Sequence, residues 1–137
     1  MVGRRREAPQ VTSTFVPPAL RALRGATTVD HDEEGHVHDR VITLLEEMCA
    51  RNDVDHDDVV SILFTATDDL HATFPAAGAR KMGLGDVPLI CARELDVVGG
   101  TPRCIRVLMH LTTERSRADL RHVYLEGAVT LRDDLPG

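Results

Sequence analysis

The chain has 137 residues and a formal charge of −6, with 42% hydrophobic and 28% charged residues, enough for one ordinary globular domain and too little for two. Three Phe, one Tyr and no Trp make only 3% aromatic, so a core must come from Val, Leu, Ile, Ala and Met, and a base-stacking platform for single strands is disfavoured. The acidic balance also argues against a phosphate-neutralising nucleic-acid surface, and no apolar run approaches the length of a membrane-spanning helix.

Residues 1–18 combine Arg4-Arg5-Arg6 with Pro9, Pro17 and Pro18 and show little periodicity. No apolar export region follows the arginines, so they read as a disordered leader. A single domain is expected over residues 19–137. Leu20–Val29 reads as a strand, passing through Gly25 and Thr27-Thr28. Acidic residues from Asp30 to Glu34 precede Val37, Val41, Leu44, Leu45 and Met48, the spacing of one face of an amphipathic helix. Asn52–Asp58 is a polar turn, Val59–Thr67 a buried strand, and Pro75–Met82 a second helix. Val87–Cys91 is a third strand, Cys104–Thr113 the longest apolar run, Ser116–Leu120 a helical turn, and Arg121–Leu131 a last strand. This order predicts an α+β fold, a mixed five-stranded sheet with helices on one face. The other face would be bare, and burial against further copies of the chain is the expected remedy.

Of the 16 basic residues, all but Lys81 are arginine, the side chain whose planar fork matches carboxylates. Residues 1–24 hold five Arg against Glu7, which leaves −10 for the rest. Arg106 is the most informative, because every neighbour within two positions is apolar. A guanidinium there needs an anion, either an internal Asp or Glu or a ligand. Arg24, Glu94 and Tyr124 stand at or near strand ends, where each could equally be a surface charge, an arginine partner or an edge aromatic. His31 to His38 reads as a solvated helix N-terminus, since His36 and His38 are not spaced as a helical zinc pair. Asp68-Asp69 with His71 reads as a helix-capping loop. Gly83-Leu84-Gly85 is a turn, not a phosphate cradle. Cys49, Cys91 and Cys104 lack CxxC spacing and fit the reduced thiols of a cytoplasmic protein.

Taken together, Leu23-Arg24-Gly25-Ala26-Thr27-Thr28, the run from Thr65 to Ala76 with Asp68-Asp69-Leu70-His71, and Cys91-Ala92-Arg93-Glu94-Leu95-Asp96-Val97 resemble the AroH-class, monofunctional chorismate mutases. Cys104-Ile105-Arg106-Val107, Arg121-His122-Val123-Tyr124-Leu125-Glu126 and Leu131-Arg132-Asp133-Asp134-Leu135 continue the likeness in order, over about residues 20–135. The resemblance implies a homotrimer built as a pseudo-α/β-barrel, with sites in clefts between subunits, converting chorismate to prephenate without metal or organic cofactor. It implies Arg24 on a substrate carboxylate with Tyr124 beside it, Arg106 at the ether oxygen, and Glu94 and Cys91 on the ring hydroxyl, within a binding segment from Ile90 through Ala92 and Arg93. Phe74 and Ala76 would line the pocket from the adjacent subunit, with Arg80 at its mouth. Leu131 and Arg132 match a mobile C-terminal segment, about residues 129–137, that closes over the site. Familiar members carry a lysine where this chain has Ala77, so Arg80 and Arg132 are candidates for the missing positive field. Two rivals share such a cleft: a trimeric imine or enamine deaminase, and a trimer that binds an anionic metabolite without turnover.

Overall fold

The computed structural model describes residues 16–134, with side chains as far as Leu131; residues 1–15 of the expected leader and the end of the C-terminal segment lie outside that range. Strands β1 (Ala19–Thr28), β2 (Val59–Ala66), β3 (Leu89–Arg93), β4 (Cys104–Thr113) and β5 (Val123–Tyr124) form one sheet in the order β3-β2-β4-β1-β5. β4 runs antiparallel to both β1 and β2, while the outer pairs β2–β3 and β1–β5 are parallel, so the sheet is mixed. Helices α1 (Glu34–Asn52) and α2 (Pro75–Lys81) lie on one face.

Alternation decides which strand residues meet the helices. Ile105, Val107, Met109 and Leu111 of β4 join Leu23 of β1 and Ile62 and Phe64 of β2 under Val37, Val41, Leu44, Leu45 and Met48 of α1, all buried. Each such fully buried aliphatic side chain stabilises the fold by about 1.5–3 kcal/mol. Gly25 lets α1 approach the sheet, since a Cβ there would stand 2.4 Å from Met48 Sδ. Glu33 caps α1 by accepting hydrogen bonds from the amides of Gly35 and His36, so the histidine-rich segment is a helix N-terminus, as its spacing suggests.

Three expectations shift. The third strand begins at Leu89, because Val87 packs in the core and Pro88 offers its carbonyl to Ile62 N at 3.0 Å. The expected last strand, Arg121–Leu131, shrinks to Val123–Tyr124. Beyond it, Glu126 takes a left-handed φ of 53° and Glu126–Asp134 winds into a 3₁₀ helix. Gly127 N donates to Thr28 Oγ1 there, at the end of β1, where no further partner strand remains. Asp68 and Asp69 cap no helix: Phe74 stands at the N-cap of α2 with no side-chain cap, and the two carboxylates bind Arg93 and the entry to β4 instead.

Candidate active site

On the face away from the helices, the strand register sets one residue from each strand side by side. Tyr124 pairs with Ala26, Ala26 with Arg106, Arg106 with Thr65, and Thr65 with Ala92. The next row on the same face is Arg24, Leu108, Leu63 and Ile90. Arg24 and Arg106 are therefore diagonal neighbours on adjacent strands, within reach of one another for long side chains.

Arg106 is flanked by core residues that point to the helices, while its own side chain turns to the bare face and is half-buried. Its Nε lies 3.4 Å from Glu94 Oε1 but makes no hydrogen bond, and it is shielded from solvent. Glu94 stands just past β3, fixed by its amide, which donates to Ala66 O at 3.0 Å. Its Oε1 accepts the Thr65 hydroxyl at 2.5 Å. An internal carboxylate is thus near Arg106, yet the Nε–H is unspent. Leaving such a donor unmet costs about 1–3 kcal/mol.

Tyr124 is 6% exposed and packs with Ala26, Ala128 and Leu131. Its hydroxyl is also buried without a partner. The Arg24 guanidinium stands 6.0 Å from the Tyr124 ring centroid, at the outer reach of a cation–π contact. The Arg24 amide donates to His122 Nδ1 at 2.9 Å. Burial, and after it the Arg24 charge, hold the His122 imidazole below its ordinary value, which favours the neutral ring this hydrogen bond requires.

The start of β4 is braced two residues before Arg106. Thr67 Oγ1 donates to Asp69 Oδ1 at 2.5 Å and accepts from Cys104 N at 3.0 Å, while Asp69 Oδ2 accepts Arg103 N at 2.9 Å. Burial pushes the Asp69 carboxyl up, but the bonds from Thr67 and Arg103 outweigh it and keep the group below the usual range. Arg103 itself is held at φ 45°, a conformation costly for a non-glycine residue.

Two clefts adjoin this region. One, of about 490 Å³, is lined by Thr67, Glu94, Arg106 and the loop 95–102; the other, of about 610 Å³, by Phe74, Cys91, Ala92 and Arg93 among others. Thr67 and Asp68 form the wall between them. The structure therefore unites Arg106 with Glu94, Arg24 with Tyr124 and Leu131, and Cys91, Ala92 and Arg93 with Phe74. Ile90 is 65% exposed on the bare face. Arg80, exposed on the last turn of α2, lines neither cleft. Ala76 is only 2% exposed and packs in the core of its own subunit, because the first turn of α2 seats it against the sheet and α1; its side chain does not reach a cleft. Arg132 lies beyond the described side chains. Thr65 and Thr67 carried no role in the sequence reading, since only the register reveals that Thr65 stands between Arg106 and Glu94.

A family model described as chorismate mutase type I matches residues 20–135. The chain is 45% identical over 117 residues to chorismate mutase AroH of Bacillus subtilis (strain 168), covering 85% of this chain and 92% of that protein. It is 42% identical over 117 residues to chorismate mutase AroH of Thermus thermophilus, covering 85% and 96% respectively. Among solved structures, a chorismate mutase from Clostridium thermocellum superposes with a TM-score of 0.79 at 44% identity, over 80% of this chain and 98% of that one.

Proposed function

The chain belongs to the type I chorismate mutases and converts chorismate to prephenate, on the route to phenylalanine and tyrosine, and from that premise we propose that the rearrangement occurs on the bare face of the sheet around Arg106, Glu94, Arg24 and Tyr124. The observation that carries this placement is that two of the three buried, unpartnered side-chain polar atoms among the described residues, Arg106 Nε and Tyr124 OH, share one cross-strand row with only Ala26 between them, the third being His38 Nδ1 on α1. Native interiors satisfy nearly all such groups, so two orphans in register argue for a ligand that completes them.

The reaction breaks a C–O bond while a C–C bond forms within one molecule. It needs no proton transfer and no covalent adduct. What remains for the protein is to select the folded conformer, a matter of position, and to stabilise developing charge. Chorismate carries two carboxylates. In our reading Arg24, with the Tyr124 hydroxyl near it, takes one carboxylate and holds the side arm over the ring. Negative charge then grows on the ether oxygen as the C–O bond lengthens. Arg106, fixed on a central strand, meets that charge, and because the contact strengthens toward the transition state it raises kcat. Glu94 balances the positive side of the ring and accepts from the ring hydroxyl. The neighbouring cleft with Cys91, Ala92 and Arg93 extends the site on that side, and Ile90 is exposed on the sheet face beside it.

We further propose a homotrimer in which the bare faces meet and the clefts are shared between copies, with Phe74 and Arg80 presented by the adjacent subunit and Leu131 and Arg132 closing over the substrate. The exposed apolar side chains of the bare face, Leu20 at 61% and Ile90 at 65%, support that assembly. Three free cysteines among the described residues fit a cytoplasmic enzyme. Arg106→Ala is the decisive variant for the site: kcat with chorismate should fall about 10²–10³-fold in protein that melts as the parent does. Near-parental turnover would place the chemistry elsewhere.

A further inference from the structure

We propose that Thr65 is a positioning residue of the rearrangement, whose hydroxyl holds the Glu94 carboxylate off Arg106 and so keeps the Arg106 Nε–H free for the substrate; the inference rests on the placement of Glu94 and Arg106 in the site. Thr65 stands directly opposite Arg106 in the β2–β4 register and beside Ala92 in the β2–β3 register, two residues before Glu94. It is thus the strand residue between the cation and the acid. A threonine hydroxyl carries one proton, and here it is donated to Glu94 Oε1 at 2.5 Å. That is the same oxygen that faces Arg106 Nε at 3.4 Å.

An arginine and a carboxylate this close ordinarily close into an aligned pair at about 2.7–2.9 Å, often bidentate. They do not do so here: Nε is buried and unbonded. Among the described residues, the hydrogen bond from Thr65 is the one that reaches the Glu94 carboxylate. β-Branching restricts the χ1 of Thr65, so the hydroxyl acts as a fixed tether. With Oε1 held by the tether, Glu94 neutralises Arg106 only through space, and the donor stays available for the ether oxygen. Oε2 is left for the ring hydroxyl. Without the tether, the carboxylate swings onto the guanidinium and occupies the Nε–H.

The inference separates cleanly from general packing in a kinetic cycle. Thr65→Val keeps the shape and removes the donor, and it should lower kcat about tenfold while KM stays within about twofold, because the lost contact is made chiefly in the transition state. Thr65→Ser restores the hydroxyl and should return kcat to within about threefold of the parent. In a Glu94→Gln background, Thr65→Val should cost little more, since no carboxylate remains to restrain. Thr65→Ala serves the same comparison if the valine variant does not fold. Parental kcat in Thr65→Val, a serine variant as slow as valine, or an equal loss in the Glu94→Gln background would each overturn the tether. Parental turnover in Glu94→Gln alone would instead overturn the placement of Glu94 on which it rests.

Discussion

Arg106 and Tyr124 each hold a polar group that the folded chain leaves unmet, and this sets opposite signs for stability and activity. Removing the Tyr124 hydroxyl deletes an uncompensated buried group, so Tyr124→Phe should melt at or slightly above the parental temperature, within about 1 kcal/mol. On the proposed placement the same change removes a substrate contact and should raise KM severalfold. A variant that is destabilised while binding substrate normally would show that the hydroxyl has a structural partner instead. Cys91 lines the cleft beside Phe74 and packs partly against the core. A hydroxyl can replace its thiol as a hydrogen-bonding group, so Cys91→Ser should keep substantial activity; complete loss in folded protein, or a trapped thioether, would point to covalent chemistry. At this scale the sequence exposed Arg106 well, because a guanidinium among five apolar neighbours violates burial rules. Thr65 was illegible, because its role depends on which strand lies opposite.

The elements were legible wherever hydrophobic period and chain punctuation agreed. Cys104–Thr113 appears as read, and α1 carries the expected buried stripe. The last strand was not, because Glu126, which the register would set opposite Thr28 at the end of β1, takes a left-handed φ of 53° and turns the chain into the 3₁₀ helix. Two consequences follow from how these elements lock. His122 bridges β5 to the Arg24 amide as a neutral ring held below its ordinary value of 6.5. Between its folded value and 6.5 the unfolded chain binds more protons, so its contribution is complete above 6.5 and is lost as pH falls through that window. Melting temperature should decline on the acid side of a scan from about pH 5 to about pH 8, and His122→Asn, which keeps an acceptor, should flatten that decline; an unchanged slope would assign the acid sensitivity elsewhere. Gly78 lets α2 press onto α1, where an added Cβ would meet Val41 Cβ at 3.0 Å and the His38 carbonyl at 3.2 Å. Gly78→Ala should therefore destabilise by about 1–3 kcal/mol, despite alanine's better helix propensity, as read by urea unfolding. A stabilised variant would mean that the helices can part at no cost.

At the scale of the molecule, the sheet has one face dressed by α1 and α2 and one covered only at its β1–β5 edge, where Ala128 and Leu131 pack on Ala26 and Tyr124, and this second face divides into two rows. The row through Arg106 carries Tyr124 and Thr65 as well, and the row beside it begins with Arg24 and is apolar from Leu108 through Leu63 to Ile90. An apolar row next to an unsaturated polar one fits a surface that closes against a copy of itself while leaving a cleft. If the proposed trimer forms through this face, Leu63→Glu should leave the helix-side core intact but shift sedimentation from an assembly of three chains to the 15.1 kDa single chain, with turnover lost in parallel. A fully active single chain would contradict shared sites. The bulk charge of −6 does not weigh against the proposed dianion site, since two arginines set in a sheet outweigh a distant acidic surface by proximity. The fold class and the bare face followed from element order, whereas the cross-strand rows required the register.

The central claim is that the free protein keeps two polar groups in waiting for a dicarboxylate on the bare face. A crystal structure with prephenate bound tests it most directly. The account predicts that Arg106 Nε and Tyr124 OH each gain a ligand oxygen within about 3 Å, with the Thr65–Glu94 hydrogen bond kept. Prephenate bound elsewhere, with both groups still unpartnered, would contradict it.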